Sequence, residues 1–247
     1  MTGVQDQPGR PVPIVHDRRE QLLREQLVLQ AQRLVPLGLA TGTSGNLSAR
    51  LVGPGGAASG SSAGMLITPS GIAYESLQPQ DMVAVYFDAQ TEAHWQHRLD
   101  PSSEWRMHQA VYLARAEAQA VVHGHPTYTT VLAIRGMEIP PLHYMIAAAG
   151  GPSIRCAPYH TYGSPELSQA AVQALEGRKA CLLANHGLLV FERDLARAMW
   201  LAREVETLAQ QYLMSLTLGG PQLLSDDEIA RVVEKFASYG LKQKAAN

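Results

Sequence analysis

The chain has 247 residues, 46% of them hydrophobic and 17% charged, enough to bury a sizeable core in one α/β domain. Twenty basic against twenty-two acidic residues give a net charge of -2, so no basic excess points to nucleic acid and no basic amphipathic stretch points to a membrane surface. The longest apolar runs fall far short of the ~20 residues of a spanning helix, the polar N-terminus lacks a signal-peptide core, and Cys156 and Cys181 stand apart with no CxxC spacing, which together predict a cytoplasmic protein without disulfides.

Residues 1–16 read as a flexible N-terminal extension, and 17–247 as one domain. From Asp17 to Leu37, Leu22, Leu23, Leu27, Leu29 and Leu34 recur at helical spacing, and Gly38 closes the helix. "TGTSGNLSAR" is a turn feeding a short strand, and the glycine and serine content of Leu51 to Gly64 predicts a mobile hairpin loop. "MLITP" and "DMVAVYFD" read as strands separated by the turn "PSG" and a short helical piece. "SEWRMHQAVYLARA" is a helix with Trp105, Ala110, Val111 and Leu113 on or near one face. "AQAVVHGH" is a strand, after which Pro126 opens a helix. "PELSQAAVQALEG" is a helix ended by Gly177, and "KACLLANHGLLVFE" is two strands meeting at a turn. A long helix over "DLARAMWLAREVETLAQQYLMSL" and a last one from about Ser225 to Ala237 complete a single domain with no internal repeat.

The histidines carry the first chemical signal. Side chains alternate faces along a strand, so His123 and His125 in "AVVHGHP" project to one side, where two imidazoles can share a cation at the ~2.0–2.1 Å of a zinc–nitrogen bond. "ANHGLL" offers His186 at a strand end as a third ligand, and an open three-histidine site suits a catalytic metal better than a structural one. A His-x-His pair alone is a weak signal, and a buried structural histidine is the alternative for each. His16, His94, His97, His108 and His160 sit in polar or helical contexts and compete poorly, while the spacing leaves His143 undecided.

"LDPSSEWRMHQ" places Ser102, Ser103 and Glu104 at a helix start, where free N–H groups and the helix dipole favour an anion. Simple capping, with Ser103 as N-cap, competes with phosphate binding for the serines. Glu104 is either an acid favoured by the dipole or a general base beside the metal, and local sequence leaves both open. The small-residue turns "GTSGNLS" and "TPSG" could cradle a phosphate through N–H groups and the side chains of Asn46, Ser48, Thr68 and Ser70, although neither matches a P-loop or a Rossmann fingerprint.

In order along the chain, "GTSGNLSAR", "GMLITPSGIAYESL", "PSSEWRMH", "AVVHGHP", "IPPLHYMIAAAGG", "CAPYHTYGSPELS", "LLANHGLL" and "AMWLAREVETLAQQYL" resemble the class II (zinc-dependent) sugar-phosphate aldolase/epimerase family, and within it the L-fuculose-1-phosphate aldolases. The resemblance implies an α/β domain with a largely antiparallel central sheet flanked by helices, assembled as a homotetramer with active sites between subunits. It implies Zn2+ (or Mn2+ or Co2+) on His123, His125 and His186, Glu104 as the acid/base, and phosphate binding at Gly45, Asn46, Ser70, Gly71, Ser102 and Ser103. Tyr144 would come from the adjacent subunit to serve the departing oxygen, Tyr162 would line the aldehyde pocket, and Tyr239 would stand at its mouth. The implied reaction is reversible retro-aldol cleavage of a ketose like L-fuculose 1-phosphate to dihydroxyacetone phosphate and a short aldehyde such as lactaldehyde.

The loop at Leu51 to Gly64 looks longer than is usual in the family, and His160, two residues before Tyr162, could reshape the aldehyde pocket. A 5-methylthioribulose-1-phosphate aldolase or dehydratase and an L-ribulose-5-phosphate 4-epimerase are the rival activities on the same scaffold. The epimerase branch has an aspartate at the place of Glu104. A non-catalytic module like the adducin head need not keep the metal ligands. A Schiff-base aldolase would need a lysine in an apolar pocket, and Lys179, Lys235, Lys242 and Lys244 lie at element edges or in the tail.

Overall fold

A computed structural model describes residues 18–51, 63–87 and 93–238, so the expectations for residues 1–16, for the loop at 52–62 and for Tyr239 lie outside the described residues. Seven strands, β1 (Asn46–Leu51), β2 (Ala63–Ile67), β3 (Val83–Phe87), β4 (Ala120–Gly124), β5 (Cys156–Ala157), β6 (Ala180–Leu183) and β7 (Gly187–Glu192), make one sheet. Its order is β3-β2-β1-β4-β7-β6-β5, and every neighbouring pair is antiparallel except β5 with β6. The largely antiparallel α/β fold expected from the sequence is the one observed.

Alternation along the strands divides the core into two layers. Leu47, Leu66, Val122, Leu182, Leu188 and Val190 pack on one face with α1 (Arg18–Leu34), α3 (Thr127–Ile134) and α5 (Leu195–Leu216). Met65, Ile67, Val121, Leu183, Leu189 and Phe191 pack on the other with α2 (Trp105–Ala114) and α4 (Pro165–Ala174). Central strands covered on both sides need apolar residues at successive positions, which is why "ACLL" and "GLLVF" are continuous apolar runs rather than alternating ones. Each fully buried aliphatic or aromatic side chain contributes roughly 1.5–3 kcal/mol. The last helix, α6 (Asp226–Ser238), packs on the 3-10 segment Tyr144–Ala149. No helix among the described residues is long and apolar enough to cross a membrane.

Two helices turn differently from the expectation. In α1, Leu27 and Leu34 are buried while Leu22 and Leu29 are exposed, because the two pairs lie five positions apart, about 140° round the helix. In α2 the buried set is Trp105, Met107, His108, Val111 and Tyr112, and Leu113 is 51% exposed. Hydrogen bonds let the polar His108 and Tyr112 take the inward stripe that hydrophobicity alone assigns to Leu113.

Candidate active site

Three turns meet at one end of the sheet. The Leu47 N–H donates to Thr68 Oγ1 at 3.2 Å, Thr68 N–H to Leu47 O at 3.0 Å, Ser102 N–H to Thr68 O at 3.0 Å, and Ser70 N–H to Asp100 O at 3.1 Å. The Tyr74 hydroxyl donates to the carbonyls of Ser44 and Gly45 at 2.9 and 2.6 Å. These bonds lock the "GTSGNLS", "TPSG" and "PSSE" stretches into one wall of a cleft of about 340 Å³.

The three sequence-predicted imidazoles converge in that cleft, with ligand nitrogens all within 4.8 Å of one another. His123 is fully buried on β4, whereas His125 lies just past the strand end, held by its N–H to Leu39 O at 3.0 Å. The strand is shorter than expected, yet the rings stay together, with His123 and His125 centroids 4.9 Å apart and His123 and His186 4.7 Å apart. His186 sits on the turn between β6 and β7, after Asn185 at φ 54°, a left-handed conformation that asparagine tolerates better than most residues. Gly187 follows it because a Cβ there would collide with Gly124 O and the His125 ring. Each letter of "NHG" thus has a local reason.

The donor set fits a divalent cation. His123 Nδ1 is 2.8 Å from Leu188 O, and a carbonyl only accepts, so Nδ1 carries a proton and Nε2 is the atom that would offer a lone pair to a bound cation. Glu104 Oε2 lies 3.1 Å from His123 Nε2, and Oε1 lies 3.1 Å from His186 Nε2. Both contacts are close without hydrogen-bond alignment; Oε2 accepts from Asn46 Nδ2, and Oε1 is left a buried acceptor with no donor. A cation among three imidazoles and this carboxylate satisfies lone pairs that otherwise face one another. Burial, and then the charges of His123 and His186, push the His125 pKa down to about 4, keeping that ring neutral as a ligand must be. Burial by itself would raise the Glu104 pKa, but His123 and His186 hold it well below the usual carboxylate range.

The helix start differs from the expected one. Glu104, not Ser103, is the N-cap residue of α2, and its side chain makes no cap bond but turns into the cleft. Ser102 Oγ instead accepts from the Glu104 N–H at 3.3 Å. The N–H groups of Ser70, Ser102 and Trp105 are engaged with Asp100 O, Thr68 O and Ser102 O, so the two serines offer a ligand their hydroxyls rather than their amides. Gly45, Asn46, Ser70, Gly71, Ser102 and Ser103 all line the cleft with Glu104, His125 and His186, and among the described residues no lysine or arginine does.

Tyr162 and His160 also line the cleft, with Tyr159, Tyr162 being 67% exposed. Tyr144 is 51% exposed and does not line the cleft of its own chain. His143 caps the 3-10 segment beside it, its Nδ1 accepting from the Met145 N–H at 3.3 Å, and also stands outside the cleft. Sequence reasoning missed His108: it is fully buried, with Nε2 2.5 Å from Asn46 Oδ1 and Nδ1 2.7 Å from Ser48 Oγ. The available signal was a spacing match, His108 and Tyr112 four apart on a helix against Asn46 and Ser48 two apart on a strand.

The family model of the Class II Aldolase and Adducin N-terminal domain matches residues 25–213. The L-fuculose phosphate aldolase of Escherichia coli (strain K12) is 48% identical over 221 residues, spanning 89% of this chain and 96% of its own. A 5-methylthioribulose-1-phosphate/5-deoxyribulose-1-phosphate aldolase of Rhodospirillum rubrum is 45% identical over 218 residues, spanning 88% and 92%. A solved L-fuculose 1-phosphate aldolase structure superposes with a TM-score of 0.78 at 38% identity, covering 87% of this chain and 96% of that one. The chain belongs to this family, as a class II aldolase, a lyase of a metal-dependent class.

Proposed function

We propose that the protein cleaves L-fuculose 1-phosphate reversibly to dihydroxyacetone phosphate and lactaldehyde, with zinc on His123, His125 and His186. The observation that carries this reading is the meeting of those imidazoles with Glu104 at a cleft wall of hydroxyls and small residues, free of lysine and arginine among the described residues. Such a wall suits a phosphate bound by neutral donors, with Gly45, Asn46, Ser70, Gly71, Ser102 and Ser103 as its binding positions. The bound cation would supply the Lewis acidity that stabilises negative charge developing on the ketose oxygens. Glu104 returns a proton to the enediolate carbon after the C3–C4 bond breaks and removes one in the synthetic direction. The partner subunit's Tyr144 exchanges the proton of the C4 oxygen as the aldehyde forms; its exposure outside its own cleft supports a homotetramer with shared sites. Of the two lysines within the described residues, Lys179 is engaged at 2.6 Å with Glu192 and Lys235 is exposed on α6, so neither sits in the apolar pocket that a Schiff base needs.

A second reading, cleavage of 5-methylthioribulose 1-phosphate or 5-deoxyribulose 1-phosphate, is favoured by the 45% identical Rhodospirillum rubrum relative. Only the wall of Tyr159, His160 and Tyr162 need distinguish the aldehydes. The deciding experiment measures dihydroxyacetone phosphate release from each sugar before chelation, after it, and with zinc restored. Preferred cleavage of L-fuculose 1-phosphate that stops on chelation and returns with zinc upholds the first reading. Faster turnover of a 5-deoxy or methylthio substrate upholds the second. Loss of water with the carbon chain intact, or interconversion of pentulose 5-phosphates without triose release, overturns both.

A further inference from the structure

Behind Glu104 runs a buried chain of polar side chains, Asn46, His108, Ser48 and Tyr112, of which Asn46, at 3% exposure, is the most exposed and alone borders the cleft. Its proton order follows from the carboxylate outward. Glu104 Oε2 only accepts, so the Asn46 atom 3.0 Å away is Nδ2, and Asn46 Oδ1 faces His108 Nε2 at 2.5 Å. Burial keeps the His108 ring neutral, with one N–H, and that N–H lies on Nε2 because Asn46 Oδ1 only accepts, whereas the Ser48 hydroxyl can donate. Nδ1 therefore accepts from the Ser48 hydroxyl at 2.7 Å, and Ser48 Oγ accepts from the Tyr112 hydroxyl at 2.8 Å.

The two ends of an asparagine amide are nearly the same shape, so packing cannot choose between them. A flipped Asn46 would set Oδ1 against the carboxylate, acceptor against acceptor, between two buried residues. Among the described residues, the Asn46 bond is also the one aligned hydrogen bond to the Glu104 carboxylate. We infer that His108 is a positioning residue for Glu104, acting through the Asn46 amide, which it keeps turned with Nδ2 toward the carboxylate. The inference rests on the reading of Glu104 as the proton-transferring group.

The test follows solvent deuterium exchange into dihydroxyacetone phosphate per bound zinc, together with zinc content and thermal unfolding, in the full-length protein. His108→Met, which can neither donate nor accept comparably, is expected to slow exchange ~10- to 100-fold with zinc retained. His108→Gln, which can donate to Asn46 Oδ1, is expected to recover most of that loss even if its unfolding midpoint matches that of His108→Met. Because the effect passes through Asn46, the His108→Met loss should largely vanish in an Asn46→Ala background. Equal losses in His108→Met and His108→Gln, or additive losses in the double variant, would reduce His108 to a packing residue and overturn the inference. Should His108→Met not fold, Ser48→Ala carries the test, since it removes the donor that fixes the tautomer; unchanged exchange there also overturns it. Glu104→Gln separates the two levels. If exchange survives Glu104→Gln, the acid/base reading fails and this inference with it; if exchange stops there but persists in His108→Met, the inference alone fails.

Discussion

Asn46 and His123 lie opposite each other in the β1–β4 register, and the next residues along β4 and β7 pair Gly124 with Leu188, whose carbonyl accepts from His123 Nδ1. One run of sheet thus fixes an imidazole, its tautomer and the amide that meets Glu104. His123 stands on paired strand backbone, while His125 past the strand end and His186 on the β6–β7 turn are each tied by their N–H, to Leu39 O and Leu183 O at 3.0 Å, an arrangement that holds ligand geometry with little reorganisation.

His186→Ala is expected to lose bound metal and cleavage together, because two imidazoles alone make a weak site. Metal analysis after gel filtration, beside the cleavage rate, checks this. A His186→Ala protein that stays zinc-loaded and active would remove His186 from the ligand set.

Glu104→Gln should keep the metal and lose proton exchange at the enediolate carbon by ~10²–10⁴-fold, the range of a positioned acid/base. The amide preserves shape but not basicity. Deuterium wash-in to dihydroxyacetone phosphate, read by proton NMR, gives the answer. Full exchange with full metal content would take Glu104 out of the mechanism.

The legible parts of this chain were those whose cause is local. His123 and His125 announced a shared face because two residues separate side chains on the same side of a strand, and His186 stood out at a strand end beside glycine. The apolar runs of β6 and β7 and the spacing of α5 were equally plain. His108 was not legible, because its partners lie 62 and 60 residues away and a histidine in a helix is usually solvated. The same tertiary bonds misled the reading of α2, where Tyr112 rather than Leu113 faces inward. The direction of Glu104 was hidden too: its helix begins one residue later than capping rules favour, which frees the carboxylate to turn into the cleft.

If Tyr144 serves a neighbouring subunit's site, mixing should rescue activity. Tyr144→Phe is expected to slow cleavage while leaving deuterium exchange into dihydroxyacetone phosphate intact, since exchange needs only Glu104. Dissociating and reassembling Tyr144→Phe with Glu104→Gln protomers should then regenerate some sites with both native groups. Activity rising above that of either parent is the expected outcome; a mixture no better than its parents would return Tyr144 to its own chain or to no role.

Gly124→Ala tests why the residue between the two histidines has no side chain. A Cβ there would run into Leu39 O, the acceptor of the His125 N–H. Overpacking against backbone costs ~1–3 kcal/mol, and the lost hydrogen bond adds ~1 kcal/mol. A lowered unfolding midpoint together with weaker metal retention is expected. An unchanged midpoint would mean that the end of β4 relaxes freely and does not aim His125.

The buried His108 also predicts how acid acts on the fold. Burial, and then the charge of His123, push its pKa down to about 3 from an ordinary 6.5. Between those values the unfolded chain carries a proton on this ring that the folded chain does not. Stability from this group is therefore present in full above 6.5 and lost as pH falls toward 3, at up to ~1.4 kcal/mol per pH unit. His108→Gln has no such proton to take up, so its urea midpoint should fall less steeply between pH 6.5 and 4.5 than that of the native protein. Both proteins would be stripped of metal and held at one concentration, so that ligand and subunit binding do not contribute to the difference. Parallel pH profiles would show that the ring is protonated in the folded state, and the proton order from Tyr112 to Glu104 would then have to be redrawn.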